Sequence, residues 1–283
     1  MSWQMYTAIS VIGLSVSVIL QRVLLHKHKT DPVAYSVVFQ LYVAAILLVA
    51  SVVAGFSLAG IGDVWLVATI CIVLYGVGNI VYSLTLQRVE ASAFSMLFAT
   101  HAVWVMALGI LLFNESLTMM QLLGSVLLFI SIAILAKNIG SIFKEKGTLL
   151  GLLTGLLYGL AVTSLTYVGR EVNTLSWAAV SFAGSALVSF LVQPQSYKKM
   201  LPLFKGVVAS KIIVLAIFYA VGSTAMLFAY KYGSLTIVSP LRQTGIIVTT
   251  LLALAVLESE RVNIPKKIAA AVISSIGVVL IVI

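Results

Sequence analysis

A sequence repeat divides the chain into two halves. Residues 74–79 read LYGVGN, and residues 218–223, 144 positions later, read FYAVGS. Each copy leads into another apolar stretch that ends at an acidic turn, FNES at 113–116 and VLES at 256–259. Each half holds five apolar segments, and an odd number of membrane crossings inverts the second half relative to the first. Inverted repeats of this kind are an architecture of secondary transporters.

Composition places the chain in a lipid environment. Apolar residues make up 61% and charged residues 9% of the chain, whereas a soluble domain carries about 25% charged residues. Most of the apolar segments are close to the roughly 20 residues that a membrane-spanning helix needs. The ten segments run over residues 4–25, 33–54, 64–86, 92–113, 119–137, 148–169, 175–193, 211–230, 236–257 and 264–283.

The segments are predicted to be helices, because strand-length alternation is absent and backbone polar groups at membrane depth must pair internally. The predicted fold is all-α and integral to the membrane, with ten transmembrane helices as two inverted five-helix repeats. We assign the first repeat to residues 1–140 and the second to 147–283. The first segment has no basic leader, so we expect a retained span in a multi-pass protein of the cell (inner or plasma) membrane.

Several functional classes lack support in the sequence. Cys71 is the single cysteine, so neither a disulfide nor a metal cluster is expected. The formal net charge is +9 with basic residues scattered over loops, where they meet lipid headgroups rather than nucleic acid. No Walker-type loop is present, and no cofactor is expected. An intramembrane enzyme is disfavoured, because no His-Glu-x-x-His site occurs and all eight acids fall in loops or at helix ends.

The distribution of positive charge predicts an orientation. Loops and helix ends that follow the odd-numbered spans carry thirteen lysines and arginines, whereas the opposite side carries only Arg170 and Lys231. Cytoplasmic loops are enriched in these residues. The charge distribution therefore predicts that both termini lie outside the cytoplasm.

Matching motifs end the fourth and ninth spans. Pro240 precedes Glu258 by 18 residues, Leu97 precedes Glu115 by the same spacing, and residues 114–124 read NESLTMMQLLG. Together with the repeat, these features resemble the drug/metabolite transporter (DMT) superfamily, and most closely its EamA-type members. The resemblance covers the whole chain and implies a central cavity and export or exchange of small metabolites. It also implies cytoplasmic termini, so both orientations stay open.

Arg242 is the candidate for binding an anionic group. It lies about six residues into the ninth span, or roughly 9 Å at 1.5 Å per residue. Ionisable groups at that depth usually face a cavity, where a guanidinium suits a carboxylate or phosphate. The alternative is that Arg242 snorkels to the interface. Gln243 and Thr244 are further cavity candidates, and Arg22 is expected to be a snorkelling anchor.

The repeated third and eighth spans carry polar faces. Tyr75 and Asn79 share one helical face of the third span, and Tyr219 and Ser223 share one face of the eighth. Mixed aromatic and polar faces are typical of small-molecule cavities. The alternative is hydrogen bonding between helices, with tyrosines such as Tyr82 at the interface.

Two further features lie on the fourth and sixth spans. His101 is predicted to line the cavity together with Trp104, one turn further on. A histidine can accept a transported proton, but a neutral ring bonded to a neighbouring helix is the favoured interpretation. Gly151, Gly155 and Gly159 predict a close helix crossing rather than a site.

The sequence favours a secondary transporter that works by alternating access around a midplane site. The expected substrate is an amino acid or related organic acid, with an anionic group held by Arg242. A quaternary amine or other cation in an aromatic box is the alternative. Expected partners are the small-molecule substrate, membrane lipid and one possible coupling ion, a proton. The protein is expected to be a monomer or homodimer.

Overall fold

The structure is a computed structural model that describes residues 2–27, 30–89, 91, 94, 97–98, 100–135, 146–257 and 264–282. These residues form helices joined by turns and short irregular segments, and no strand occurs among them. The predicted all-helical class is therefore confirmed.

Local sequence signals set the helix ends of the first half. Asp31 accepts hydrogen bonds from the N–H groups of Val33 and Ala34 at 3.1 and 3.0 Å, and Pro32 occupies the first turn of its helix, which favours a start at this point. Asn114, with a φ of 53°, ends another helix in the left-handed conformation. The helices are α1 (Trp3–Arg22), α2 (Pro32–Val53), α3 (Trp65–Arg88), α4 (His101–Phe113) and α5 (Met119–Leu135).

The second half contains a broken helix. Pro240 has no N–H to donate, and the chain then tightens: the N–H of Gln243 bonds to the Pro240 carbonyl at 2.9 Å and that of Thr244 to the Leu241 carbonyl at 3.1 Å. The ninth predicted span therefore consists of two pieces, with Arg242 at the break. The helices are α6 (Lys146–Glu171), α7 (Thr174–Val192), α8 (Gly206–Tyr232), α9a (Leu235–Arg242), α9b (Gly245–Val256) and α10 (Ile264–Val282).

Seven helical segments among the described residues are long and apolar enough to cross a membrane. They correspond to the first three predicted spans and to the sixth to ninth. The helices α4, α5 and α10 fall on the other three predicted spans. The multi-pass membrane class is confirmed, whereas the count of ten spans stays a prediction.

The two halves interleave. The helix α1 packs along α8, α2 along α7, and α3 along α6 and α7. Where α1 crosses α8, a Cβ added to Gly13 would lie 2.9 Å from the carbonyl oxygen of Phe218 and 3.1 Å from the Cα of Gly222. Glycine at both positions therefore lets the two backbones touch, and the crossing joins one half to the other.

The close crossing predicted for the sixth span is confirmed. A Cβ added to Gly151 would lie 2.7 Å from Leu97, and one added to Gly159 would lie 2.5 Å from the Cβ of Trp104. Gly155 faces Thr100 in the same way. The backbone of α6 thus lies directly against the fourth predicted span and fixes the position of α4.

Arg22 does not snorkel. It is buried, and its Nη1 donates to the carbonyls of Leu86 at 2.6 Å and Gln87 at 3.3 Å. These carbonyls belong to the last turn of α3, where the helix itself supplies no N–H partners. Arg22 therefore stabilises the end of α3.

Candidate functional site

A cavity of about 90 Å³ lies between the two halves. Helices α1, α3, α4, α6, α8, α9a and α9b contribute to its wall, as do Phe94 and Phe98 before α4. The wall combines apolar and polar side chains, as in most small-molecule sites. The polar lining residues are Ser15, Tyr75, Tyr82, His101, Tyr158, Tyr219, Ser223, Arg242, Gln243 and Thr249.

Arg242 provides the positive charge of the described wall, and no carboxylate is among its described residues. Its Nη1 donates to the Tyr230 hydroxyl at 3.1 Å, and its Cζ lies 5.8 Å from the centre of the Tyr230 ring. Its Nε is buried and has no hydrogen-bond partner among the described residues. A guanidinium with free donors binds carboxylates and phosphates well, so this wall favours an anionic group.

A chain of hydrogen bonds runs from the cavity into the core. The Tyr158 hydroxyl donates to Asn79 Oδ1 at 2.7 Å, and Asn79 Nδ2 donates to Gln40 Oε1 at 3.1 Å. Gln40 Nε2 in turn donates to Ser189 Oγ at 2.9 Å. This chain fixes the Tyr158 hydroxyl of the wall in a defined orientation.

Aromatic rings enclose the side of the cavity near α4. The centre of the Phe98 ring lies 4.5 Å from that of His101 and 5.0 Å from that of Tyr158. Tyr158 packs edge-on against Tyr75 at 5.4 Å, and Tyr82 packs against Phe98 at 5.6 Å. Such packing fixes ring positions and excludes water.

His101 lies within this aromatic wall. Its Nδ1 is 2.7 Å from the carbonyl oxygen of Phe98. Its Nε2 is buried and has no hydrogen-bond partner in the part of the chain that the structure describes. The Phe98 carbonyl therefore orients the ring from one side.

Glu115 connects the first half to α9a. Its carboxylate accepts hydrogen bonds from the N–H groups of Leu235 at 3.0 Å and Thr236 at 2.8 Å. These are the first residues of the helix that ends at Arg242, and a carboxylate at a helix N-terminus is stabilising. Glu115 thereby sets the position of α9a although it lies outside the cavity.

Arg170 completes this contact at the end of α6. One Nη atom lies 3.6 Å from the Glu115 carboxylate and donates to the Tyr230 carbonyl at 3.2 Å. The guanidinium also lies over the Phe113 ring, 4.4 Å from its centre. The Glu115–Arg170 pair therefore joins both halves beside Tyr230, the residue that bonds to Arg242.

Six predicted site residues lie on the cavity wall: Tyr75, His101, Tyr219, Ser223, Arg242 and Gln243. The structure places the other three elsewhere. Asn79 is buried behind the wall, where it holds Tyr158. Trp104 is 43% exposed and packs on Gly159. Thr244 lines a separate shallow depression with Gln4 and Leu241.

Tyr82 and Tyr158 lie on the wall although the predicted set omits them. The location of Tyr82 near a helix end favours an interfacial position, but Phe94, which packs against it at 4.6 Å, covers it. Tyr158 stands between Gly155 and Gly159. That spacing is the signal that could have found it, because small residues on one helix face bring the adjacent side chains close to the opposite helix.

The helical fold and its long apolar helices define a multi-pass membrane protein. The profile of the EamA-like transporter family matches residues 1–137 and 145–283. The chain belongs to this family, as its motifs predict.

Solved structures add information on the fold alone. One crystal structure of another protein aligns with a TM-score of 0.73 over 97% of this chain and 96% of that chain, at 15% sequence identity. No curated protein sequence matches the chain.

Proposed function

We propose that this chain is a secondary active transporter for a small organic anion or zwitterion, such as an amino acid or related organic acid. It would work by alternating access, as an exporter or exchanger. The observation that carries the proposal is the Arg242 guanidinium, which has a buried, unpaired Nε on a wall without a carboxylate among its described residues. A bound carboxylate would complete its hydrogen bonds. The cavity of about 90 Å³ favours a ligand of small-metabolite size.

The position of Arg242 also supports alternating access. In inverted-repeat transporters the substrate site lies where the repeats meet, commonly at interrupted helices. Arg242 ends α9a at such an interruption, and the wall around it draws on both halves. Rocking of one half against the other would then expose this charge first to one side of the membrane and then to the other.

Counterflow in proteoliposomes with a mixed metabolite panel tests the proposal. Arg242→Ala is expected to reduce exchange of anionic and zwitterionic substrates at least about 10-fold, because a hydrogen bond to a charged group contributes about 1.5–3 kcal/mol. Tyr219→Phe is expected to weaken exchange less. Arg88→Ala is the matched control: it removes an exposed arginine outside the cavity lining and should leave exchange within about twofold of wild type.

Two outcomes would oppose the proposal. Absence of exchange for every anionic and zwitterionic metabolite would refute it, as would an Arg242→Ala variant that behaves like Arg88→Ala. Exchange of quaternary amines that improves in Arg242→Ala would favour a cation transporter, since the tyrosines Tyr75, Tyr82, Tyr158 and Tyr219 offer ring faces to a cation.

A further inference from the structure

The protonation of His101 follows from its fixed contact. A carbonyl oxygen only accepts hydrogen bonds, so the 2.7 Å contact between Nδ1 and the Phe98 carbonyl assigns the proton to Nδ1. In a neutral ring, Nε2 then carries a lone pair and accepts. A second positive charge beside Arg242, which lines the same cavity as His101, would be unfavourable where the described wall has no carboxylate. His101 therefore presents an acceptor.

This acceptor is unsatisfied. Nε2 is buried and without a partner among the described residues, although His101 lines the cavity. Buried polar atoms are nearly always hydrogen-bonded, and one without a partner costs about 1–3 kcal/mol. A ligand with an N–H or O–H group would remove that cost.

The tyrosine chain presents a second acceptor. Asn79 Nδ2 donates to Gln40 and to the Tyr75 carbonyl, so Asn79 Oδ1 must accept the Tyr158 proton. Because the Tyr158 proton is committed to Asn79, the lone pairs of the Tyr158 oxygen are left for the cavity that this residue lines.

We infer that His101 selects ligands that carry an N–H or O–H donor in addition to their anionic group. This inference rests on the proposed function, since Arg242 must hold the anionic group. The wall offers acceptors at His101 and Tyr158 and a cation at Arg242. Amino and hydroxy acids satisfy all three groups, whereas an unsubstituted acid or a fully ionised dicarboxylate leaves the acceptors unpaired.

Isothermal titration of the purified protein in detergent tests the inference with matched acids. The probes are phenylalanine, 3-phenyllactate and 3-phenylpropanoate, and the corresponding alanine and leucine series. In at least one series, wild type is expected to bind the amino or hydroxy acid at least about 10-fold more tightly than the unsubstituted acid, because a site built around a hydrogen-bonding group rejects a ligand that lacks it.

The His101→Phe variant keeps a planar ring but removes the acceptor. This variant is expected to abolish the preference for amino and hydroxy acids while changing the affinity for the unsubstituted acid by less than about threefold. His101→Gln has an amide oxygen that accepts, so it should restore part of that preference. Equal binding of all forms by wild type would overturn the inference even if neither variant folds, and so would a preference that persists in His101→Phe. If no acid binds, or if Arg242→Ala leaves binding unchanged, the proposed function itself fails.

Discussion

Asn79 shows how a buried side chain sets the chemistry of residues on the cavity wall. Its amide nitrogen donates to Gln40 and to the Tyr75 carbonyl, and its amide oxygen accepts from Tyr158. The helical face that Asn79 shares with Tyr75 predicts a cavity position for both, but only Tyr75 is on the wall. Asn79 lies behind because Tyr158, from the other half, stands in front of it, and periodicity along one helix contains no information on that neighbour.

Removal of the Tyr158 hydroxyl is expected to destabilise the protein. Tyr158→Phe leaves Asn79 Oδ1 buried without its donor, which costs about 1–3 kcal/mol and lowers the midpoint of thermal unfolding in detergent. Tyr197→Phe, at a 50% exposed tyrosine, is the control and should leave the midpoint unchanged.

A double-mutant cycle separates this bond from general packing. Since Tyr158 and Asn79 are direct partners, Tyr158→Phe and Asn79→Ala should together destabilise the protein by less than the sum of the single changes. Strict additivity would show that the 2.7 Å contact contributes nothing to stability.

At the scale of the element, the broken ninth helix departs most from its sequence pattern. Hydropathy predicts one continuous span over 236–257, whereas the structure has α9a, a turn and α9b. Pro240 and the polar pair that follows Arg242 are local signals for the break. The group that caps α9a is not local: Glu115 lies 120 positions before Leu235. In the sequence, residues 113–116 indicate only an acidic turn. The fold then brings Glu115 to the start of α9a.

Loss of the Glu115 carboxylate is expected to disturb the cavity from outside it. Glu115→Ala leaves the N–H groups of Leu235 and Thr236 without their acceptor. Loss of a helix cap costs about 0.5–2 kcal/mol, and because α9a ends at Arg242, substrate affinity should fall together with the thermal midpoint. Glu115→Gln keeps one amide oxygen for these N–H groups but loses the charge facing Arg170. Its thermal midpoint and substrate affinity are therefore expected to lie between those of wild type and Glu115→Ala.

The control for this prediction is Glu171→Ala. Glu171 is an exposed acid at the end of α6 and directly follows Arg170, so its removal changes the net charge equally. Equal effects of Glu115→Ala and Glu171→Ala on thermal midpoint and on substrate affinity would contradict a capping role for Glu115.

At the scale of the whole molecule, ion pairs join the halves at opposite ends of the bundle. The Glu115–Arg170 pair lies at the end where α4 and α6 finish, and Lys199 bonds to Asp31 at 2.7 Å where α2 begins. Partial burial raises the pKa of the Asp31 carboxyl, but Lys199 and two N–H donors outweigh burial and hold that pKa below its usual value. The Glu115–Arg170 pair is more buried than the Asp31–Lys199 pair.

The repeat predicts the all-helical, two-repeat architecture of the molecule. It cannot predict which helices meet, since α1 lies along α8 through a glycine contact between Gly13 and Gly222 that no spacing within one half encodes. The sequence likewise predicts only some residues of the candidate site. Arg242 stands out as a charge within an apolar span, whereas Tyr158 is indicated only indirectly, by the flanking Gly155 and Gly159 through which α6 packs on α4.

The two orientations left open by the sequence predict opposite labelling patterns. Gly62 lies in the turn before α3, at the membrane face of the termini, and has open space around it; Gln195 is exposed in the turn after α7, at the opposite face. Cys71, the single native cysteine, is buried, so each introduced cysteine reports alone.

The charge distribution predicts that an impermeant maleimide labels Gly62→Cys in intact cells and Gln195→Cys only after permeabilisation. The reverse pattern would place the termini in the cytoplasm and show that the basic loops do not determine insertion of this chain.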